Sequence, residues 1–193
     1  MANLSIDEFR SYVASKLPNS RVPCIIYKEE ACRAAQTLRT QYDLGIALAT
    51  DGLWLGYVFQ VHGFPTKAVK LRRIGRGATW EPIDPITPQE VEGKRIILFD
   101  NDVVTGRTIK RAVKEVSRFS PEYIDLLLVY EMTCLNRKMY HKWKKKWRLG
   151  RGTYSSDQKD IWINTRDRVP QGIRKVRTLQ HDFKLEARLE QNE

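Results

Sequence analysis

The sequence is poor in cysteine and has neither a long apolar run nor an internal repeat. The three cysteines, Cys24, Cys32 and Cys134, lack the spacing of a zinc site and suit small buried groups in a reducing compartment. No apolar stretch approaches the roughly 20 residues that cross a bilayer, and the start MANLSIDEFR lacks the pattern of a signal peptide. These absences predict a cytoplasmic protein without a membrane partner, and the length of 193 residues suits one domain.

Basic residues outnumber acidic residues, so the chain carries an excess of positive charge. Lysine and arginine total 34 against 23 aspartates and glutamates, so the formal net charge is +11. Such a charge attracts polyanions, and the candidates are nucleic acid, phosphate-rich metabolites or an acidic partner. Net charge does not choose among them.

Hydrophobic patterning predicts strands and helices in alternation. Ser5 and Glu8 form a capping box at the start of an N-terminal helix. Further helices are expected over 28–42, 51–63 and 106–119, and strands over 22–27, 44–50, 66–73, 95–99 and 123–132. This order predicts an α/β fold with a mainly parallel sheet and helices on both faces. Ligands of such sheets bind beyond the carboxyl ends of the strands.

Two regions depart from this alternation. Residues 74–92 contain three prolines and two glycines, which predicts a long irregular loop that is functional or mobile. Residues 132–156 contain eight lysines or arginines and no acidic residue, and a short strand is expected within KDIWIN. We therefore expect residues 1–131 to form the α/β core and residues 132–193 to form a basic appendage packed on it.

The stretch RIILFDNDVVTGRT, residues 95–108, carries the clearest chemical signal. An apolar strand ends in Asp100, Asn101 and Asp102, and VVTGRT leads directly into a helix. The first amides of a helix lack intrahelical partners and the dipole favours an anion there, while Gly106 allows a phosphate to approach the backbone closely. Carboxylates nearby accept hydrogen bonds from sugar hydroxyls. The stretch therefore predicts a clamp for a ribose 5-phosphate, although a strand–turn–helix can also be only a connection.

This stretch resembles the signature for phosphoribosyl diphosphate (PRPP) in the type I phosphoribosyltransferases: apolar residues, two acidic residues, more apolar residues and Thr-Gly-x-Thr. The segment GIALATDGLWLGYVFQVHGFPTKAVKLRR is similar to the family's strand, pyrophosphate loop, helix and next strand. The similarity extends over roughly residues 20–131. It implies a type I phosphoribosyltransferase-like fold and transfer of phosphoribosyl from PRPP to a nitrogenous base, with release of pyrophosphate.

The resemblance also implies roles for individual residues. The 5-phosphate would be held, mainly through backbone N–H groups, at Thr105, Gly106, Arg107 and Thr108. The catalytic acidic positions, on the ribose hydroxyls, would be Asp100 and Asn101, with Asp102 beside them. The pyrophosphate would be met by Thr50, Asp51 and Gly52 of a loop and by Lys70. Residues 74–92 would close over the site, and Mg²⁺ would be bound mainly through PRPP, not by the protein alone.

Two residues depart from the family pattern. Asn101 stands at the second acidic position, and its amide cannot neutralise a developing cation. Asp102 would compensate, because residues two apart in an extended chain face the same way and Asp100 would then be its neighbour. Asp51 puts a negative charge into the pyrophosphate loop. Asp51 and Gly52 could instead serve only as caps of the helix that follows them. Lys70 could serve only as a solvated residue at the end of its strand.

The basic segment LNRKMYHKWKKKWRLGRGTY predicts a helix with two different faces. Tyr140, Trp143 and Trp147 share one face at helical spacing. The opposite face carries the lysines that would contact nucleic acid, namely Lys138, Lys142, Lys145 and Lys146. Basic residues among aromatics suit single-stranded nucleic acid, whereas aromatics at this spacing equally suit a buried stripe. By position this region corresponds to the family's hood over the acceptor base, with Trp162 as a candidate stacking residue.

Three functions follow as hypotheses. The first is a Mg²⁺-dependent phosphoribosyltransferase. The second is a catalytically weak or inactive sensor of PRPP or a nucleotide, with the same fold, that binds RNA or DNA through the basic C-terminal region. The third is an assembly subunit, and a homo-oligomer is expected.

Overall fold

The computed structural model describes residues 4–23, 26–74, 77–147 and 160–183. The helices are α1 Ile6–Lys16, α2 Lys28–Leu38, α3 Leu53–Val61, α4 Pro88–Val91, α5 Arg107–Val116, α6 Arg137–Trp147 and α7 Leu179–Asp182. The strands are β1 Leu44–Ala49, β2 Thr66–Lys70, β3 Arg73–Ile74, β4 Gly77–Ala78, β5 Glu81–Pro82, β6 Arg95–Asp100, β7 Tyr123–Leu128, β8 Met132–Asn136, β9 Asp160–Asn164 and β10 Val176–Thr178.

One sheet organises the part of the chain that the structure describes. Its strand order is β10–β7–β6–β1–β2–β5, with β5 antiparallel to β2 and every other neighbouring pair parallel. The predicted mainly parallel sheet is therefore confirmed. Strands β1 and β6 lie side by side at its centre, so the turns that follow them meet at one edge.

Alternate side chains of the central strands point to two separate cores. On one face Ile46, Leu48 and Leu98 pack with residues of α4 and α5. On the other face Ala47 and Phe99 pack with α1, α2, α3 and α7. The sequences of these central strands are continuous apolar runs because both faces of a parallel sheet are covered. The prediction of helices on both faces is confirmed.

Two local predictions were wrong. The described residues of 22–27 form no strand, because Tyr27 adopts a left-handed conformation directly before α2 and the Ile26 carbonyl accepts a hydrogen bond from the Trp54 indole at 3.0 Å. Residues 74–92 contain regular structure where an irregular loop was expected: strand β5 extends the sheet, and a capping box of Thr87 and Glu90 begins α4. A role for this segment in closing over the site stays a prediction.

The C-terminal region has two parts with different positions. Strands β8 and β9 form an antiparallel pair that packs against α6, whereas β10 completes the main sheet beside β7. The segment before β10 is anchored by the buried carboxylate of Asp125, which accepts hydrogen bonds from Arg174 at 2.7 Å and from the Tyr42 hydroxyl at 2.7 Å. Burial and this hydrogen bond raise the pKa of Tyr42 to about 12. The division at residue 131 stays a prediction, although residues 176–178 contribute to the main sheet.

Across the described ranges, the helices are all too short or too polar to cross a membrane.

Candidate functional site

A cleft of about 380 Å³ lies beyond the carboxyl ends of β1 and β6. This is the position at which parallel sheets bind ligands. The cleft is lined by Leu48, Ala49, Thr50, Asp51, Leu71, Asp100, Asp102, Val103, Val104, Thr105, Gly106, Thr108 and Ile109. Seven of the sequence-predicted site residues therefore meet in one place, namely Thr50, Asp51, Asp100, Asp102, Thr105, Gly106 and Thr108.

The end of β6 presents two carboxylates to the cleft. Asp100 and Asp102 both line it, whereas Asn101 between them does not. The Asp100 Oδ1 atom accepts a hydrogen bond from the Asn101 backbone N–H at 2.9 Å, and the Asp102 Oδ2 atom accepts one from the Thr133 hydroxyl at 2.8 Å. This alternation is that of an extended chain, in which residues two apart share a face.

Asn101 contributes to the fold through its backbone carbonyl group. Its carbonyl oxygen accepts hydrogen bonds from the N–H groups of Val129 and Tyr130, each at 3.0 Å. These bonds tie the end of β6 to the chain that leaves β7. Asn101 does not line the cleft, its predicted role on a ribose hydroxyl stays a prediction, and the two carboxylates at the end of β6 that line the cleft are Asp100 and Asp102.

The turn before α5 leaves backbone donors without partners. Within the described parts of the chain, the N–H groups of Thr105, Gly106, Thr108 and Ile109 find no hydrogen-bond acceptor. The first intrahelical bond begins one residue later, from the Lys110 N–H to the Gly106 carbonyl at 2.8 Å. Such free amides, together with the positive end of the helix dipole, form an anion-binding site.

Gly106 has two structural reasons to be glycine. Its φ of 70° lies in the left-handed region, and a Cβ atom there would lie 2.3 Å from the carbonyl oxygen of Arg168. The sequence suggested that this glycine admits a phosphate. The close neighbour is the backbone of residue 168, so the glycine lets the loop that follows β9 pack against the start of α5.

The turn after β1 differs from the turn after β6. Thr50 and Asp51 line the cleft, and the peptide bond between Ala49 and Thr50 is cis. Gly52 is buried and does not line the cleft: its N–H donates to the Leu48 carbonyl at 2.9 Å, and a Cβ atom would lie 2.1 Å from the Phe99 carbonyl oxygen. Gly52 is therefore glycine because two central strands approach it closely.

Lys70 stands at the end of β2, next to this turn. It pairs with Ala49 across the sheet, but the residue of this segment that lines the cleft is Leu71. Within the described residues Lys70 has no salt-bridge partner. The predicted contact of Lys70 with a pyrophosphate stays a prediction.

The charge of the cleft is unusual for an anion site. Its lining contains three carboxylates, those of Asp51, Asp100 and Asp102, and no lysine or arginine among the described residues. Across those residues no group of three or more His, Cys, Asp or Glu side chains is arranged to hold a metal ion. One or two carboxylates fit Mg²⁺ that is bound chiefly by phosphate oxygens and water, as this ion prefers.

The basic helix α6 exposes its lysines. Lys138, Lys142 and Lys145 are exposed, whereas the side chain of Lys146 lies outside the described part of the molecule. Tyr140 is 2% exposed and packs with Leu135, Ile161 and Ile163. At this position the aromatic stripe is therefore core, and the side chains of residues 143 and 147 lie outside the described part.

The β8–β9 pair presents one aromatic side chain outward. Trp162 is 44% exposed on β9, beside Cys134 of β8, while its neighbours in sequence point into the small core. Sequence reasoning did not predict β8, and therefore missed Thr133, whose hydroxyl contacts Asp102. No local pattern identifies such a residue, because the contact joins positions 31 apart in the chain.

Comparisons with known proteins concern the fold. No protein-family model and no curated protein matches the chain. Solved structures of similar fold include a purine phosphoribosyltransferase from Pyrococcus horikoshii, at 22% identity over 56% of this chain and 75% of that chain, with a TM-score of 0.45. An orotate phosphoribosyltransferase from Aeropyrum pernix is 21% identical over 53% of this chain and 56% of that one, with a TM-score of 0.39.

Two of these similar structures are thus phosphoribosyltransferases. A third is a hypothetical protein from Neisseria gonorrhoeae with bound ppGpp, at 11% identity over 87% of this chain and 93% of that chain, with a TM-score of 0.48. At these identities and scores the similarity does not carry the chemistry of any of these sites over to this chain. The function has to be inferred from the cleft itself.

Proposed function

We propose that the protein binds PRPP or a related ribose 5-phosphate ligand in the cleft and acts as a Mg²⁺-dependent phosphoribosyltransferase. One observation carries the proposal: the free amides of Thr105, Gly106 and Thr108 line the same cleft as the carboxylates of Asp100 and Asp102. A sugar phosphate needs both, because amides at a helix start receive the phosphate and carboxylates accept hydrogen bonds from hydroxyls.

The chemistry at this site would be substitution at C1 of the ribose. The C1–pyrophosphate bond breaks, the base nitrogen forms the new bond, and positive charge develops on the sugar. Asp102 would contribute the second negative charge that Asn101 cannot, since it lies on the cleft side with Asp100. Mg²⁺, bound through the pyrophosphate, would neutralise the leaving group. The other residues hold the sugar in place, which is itself a large share of catalysis.

The test combines binding and turnover. Calorimetry with PRPP and Mg²⁺ measures affinity, and pyrophosphate release is followed with a panel of purine and pyrimidine bases. Asp102→Asn is expected to lower kcat/KM about 100-fold, on the scale of a charge removed from a developing transition state. Asn101→Ala is the matched control, and it should change kcat/KM by less than about threefold because residue 101 does not line the cleft. Wild-type protein that neither binds PRPP nor releases pyrophosphate with any base contradicts the proposal.

A second candidate is a sensor of PRPP or a nucleotide that binds RNA or DNA without appreciable turnover. The observation that favours it is the helix α6, which exposes Lys138, Lys142 and Lys145 and contains no acidic residue. Trp162 offers an exposed ring on the adjacent strand pair.

Turnover and salt dependence separate the two candidates. Replacing Lys138, Lys142 and Lys145 by Glu should abolish a gel shift of single-stranded RNA or DNA, and the wild-type shift should weaken steeply as salt rises because phosphate contacts release counterions. A shift that is insensitive to both changes contradicts the nucleic-acid candidate. Pyrophosphate release by the wild-type protein, together with a gel shift that is absent or insensitive to both changes, would leave the enzyme as the sole surviving function.

A further inference from the structure

A second cavity, of about 710 Å³, lies on the other side of the turn that precedes α5. It is lined by Thr105, Gly106, Arg107, Lys110, Val113, Lys114, Arg168, Pro170 and Gln171. Only Thr105 and Gly106 belong to both cavities. The second cavity is therefore separate from the cleft in which the transferase chemistry is proposed, and its volume is that of a small-molecule site.

The charges of this cavity are all of one sign. Four cationic side chains line it, at positions 107, 110 and 114 of α5 and at position 168, and none of the lining residues is acidic. The three positions of α5 are spaced i, i+3 and i+7, which places them on one face of the helix. Like charges four residues apart on a helix repel each other, so this arrangement favours the binding of an anion between them.

Neighbouring cations of α5 and of the turn that follows it differ in their partners. Arg111 and Arg118 both pair with the buried carboxylate of Glu115. Lys110 and Lys114 form no salt bridge with any residue that the structure describes. Both lysines of α5 thus lack a salt bridge among the described residues, and both line the second cavity.

Arg168 also lines the cavity, from the loop that follows β9. The residue is held in place by its backbone, because its carbonyl oxygen packs against Gly106 and its N–H donates to the Thr165 carbonyl at 3.1 Å.

We propose that this cavity is a second binding site, for a small molecule that carries two or more linked phosphate groups. The lysines one helical turn apart suit adjacent phosphates, and Arg107 and Arg168 add positive charge to the lining of the same cavity. Val113 and Pro170 add apolar surface to the cavity, against which the nucleoside part of a nucleotide packs. The concave shape suits a small molecule better than a nucleic-acid strand, for which the exposed helix α6 is the more open surface.

The test measures binding of tripolyphosphate and of ATP, without added metal, to the full chain by calorimetry at 150 mM salt. The double variant Lys110→Gln and Lys114→Gln should weaken both affinities at least about tenfold, because two charged contacts with phosphate, partly screened by solvent, are lost. The matched control, Lys138→Gln with Lys142→Gln, removes the same charge from α6 and should stay within about twofold. All four lysines are exposed, so neither variant endangers the fold.

Three outcomes would overturn the proposal. One is no detectable binding of either ligand by the wild-type protein at millimolar concentration. Another is an equal loss in both double variants, which indicates non-specific attraction by net charge. The third is binding of a single-stranded oligonucleotide, lost in the Lys110 and Lys114 variant, when tripolyphosphate does not bind. Since neither lysine lines the cleft, PRPP binding and turnover by the variant should be unchanged, and the two proposals can fail separately.

Discussion

Two turns of the same kind lie side by side in this molecule, and the N–H groups of their glycines differ: that of Gly52 has an acceptor, and that of Gly106 has none among the described residues. The turn after β1 is closed on itself, because Gly52 donates its N–H to the Leu48 carbonyl and Leu53 donates to the Thr50 carbonyl. The turn after β6 leaves the N–H groups of Thr105 and its neighbours free within the described residues. Both follow central parallel strands and both contain a glycine. The glycine N–H is therefore available to a ligand in the turn after β6 and is already used in the turn after β1.

The largest expected effect comes from Gly52, the glycine of the closed turn. Gly52→Ala should destabilise the protein by about 3 kcal/mol or more, because the added Cβ atom would meet the Phe99 carbonyl oxygen at 2.1 Å and the Leu48 backbone at 2.8 Å. Urea unfolding measures the free energy of unfolding.

The control for this prediction is Gly63, which has a φ of 75° and no atom within 4 Å of the place where a Cβ atom would lie. Gly63→Ala should cost only about 1–2 kcal/mol, the penalty of the left-handed conformation. Similar costs for the two variants would show that the close packing assigned to the turn after β1 is incorrect.

The second effect concerns the turn after β6, where the Thr108 hydroxyl lies beside the free amides. Thr108→Val should weaken binding of ribose 5-phosphate about tenfold, because a hydrogen bond to a charged phosphate is lost. Thr50→Val, the equivalent change in the closed turn, should leave this affinity within about twofold, since the 5-phosphate is proposed to bind at the other turn. Calorimetry at neutral pH measures both constants. Equal losses would remove the distinction between the turns.

The third effect tests the opposite ends of the same two strands. Asp43, directly before β1, accepts hydrogen bonds from the Arg95 guanidinium at 2.9 and 3.0 Å. These bonds lower the pKa of Asp43 to about 2. Because the folded-state pKa lies below the ordinary value of 3.8, the stabilisation is present above about pH 4 and is lost as pH falls towards 2.

Asp43→Asn should therefore cost about 1 kcal/mol or less at pH 7, after allowance for a pair that is about a third exposed, and nothing below pH 2. Thermal unfolding across this pH range measures the difference. The affinity for ribose 5-phosphate should not change, since this pair lies at the far end of the strands from the cleft. A constant difference at all pH values would contradict the assignment of the pKa to this pair.

The smallest expected effect belongs to Asp51. Asp51→Asn should strengthen binding of ribose 5-phosphate by only about twofold, because one exposed negative charge is removed from the cleft and the interaction is screened by solvent. The increase should disappear at high salt. A tenfold gain would show that the turn after β1 contacts the phosphate more closely than proposed.

Sequence patterns predicted the architecture well where they were long and strongly periodic. The alternation of apolar runs with amphipathic segments identified the central strands β1, β6 and β7 and the helices α1, α2, α3 and α5 at the correct places. Prediction failed in short segments, such as β8 and β10, and at residues 22–27, where contacts with distant residues outweigh local propensity. Strand β10 has only 3 residues, which is too few to show a recognisable hydrophobic pattern.

The order of residues 95–108 predicts an anion site between a strand and a helix, and this prediction needs only the sequence because residue types and their spacing are local properties of the chain. Which side chains share the cleft was decided by tertiary structure: Asp102 lines it and is held by Thr133, and Asn101 does not line it. The same holds for the two glycines, since Gly52 and Gly106 are constrained by the carbonyl groups of Phe99 and Arg168. Distances between residues far apart in sequence depend on how the strands pack, and no local pattern encodes them.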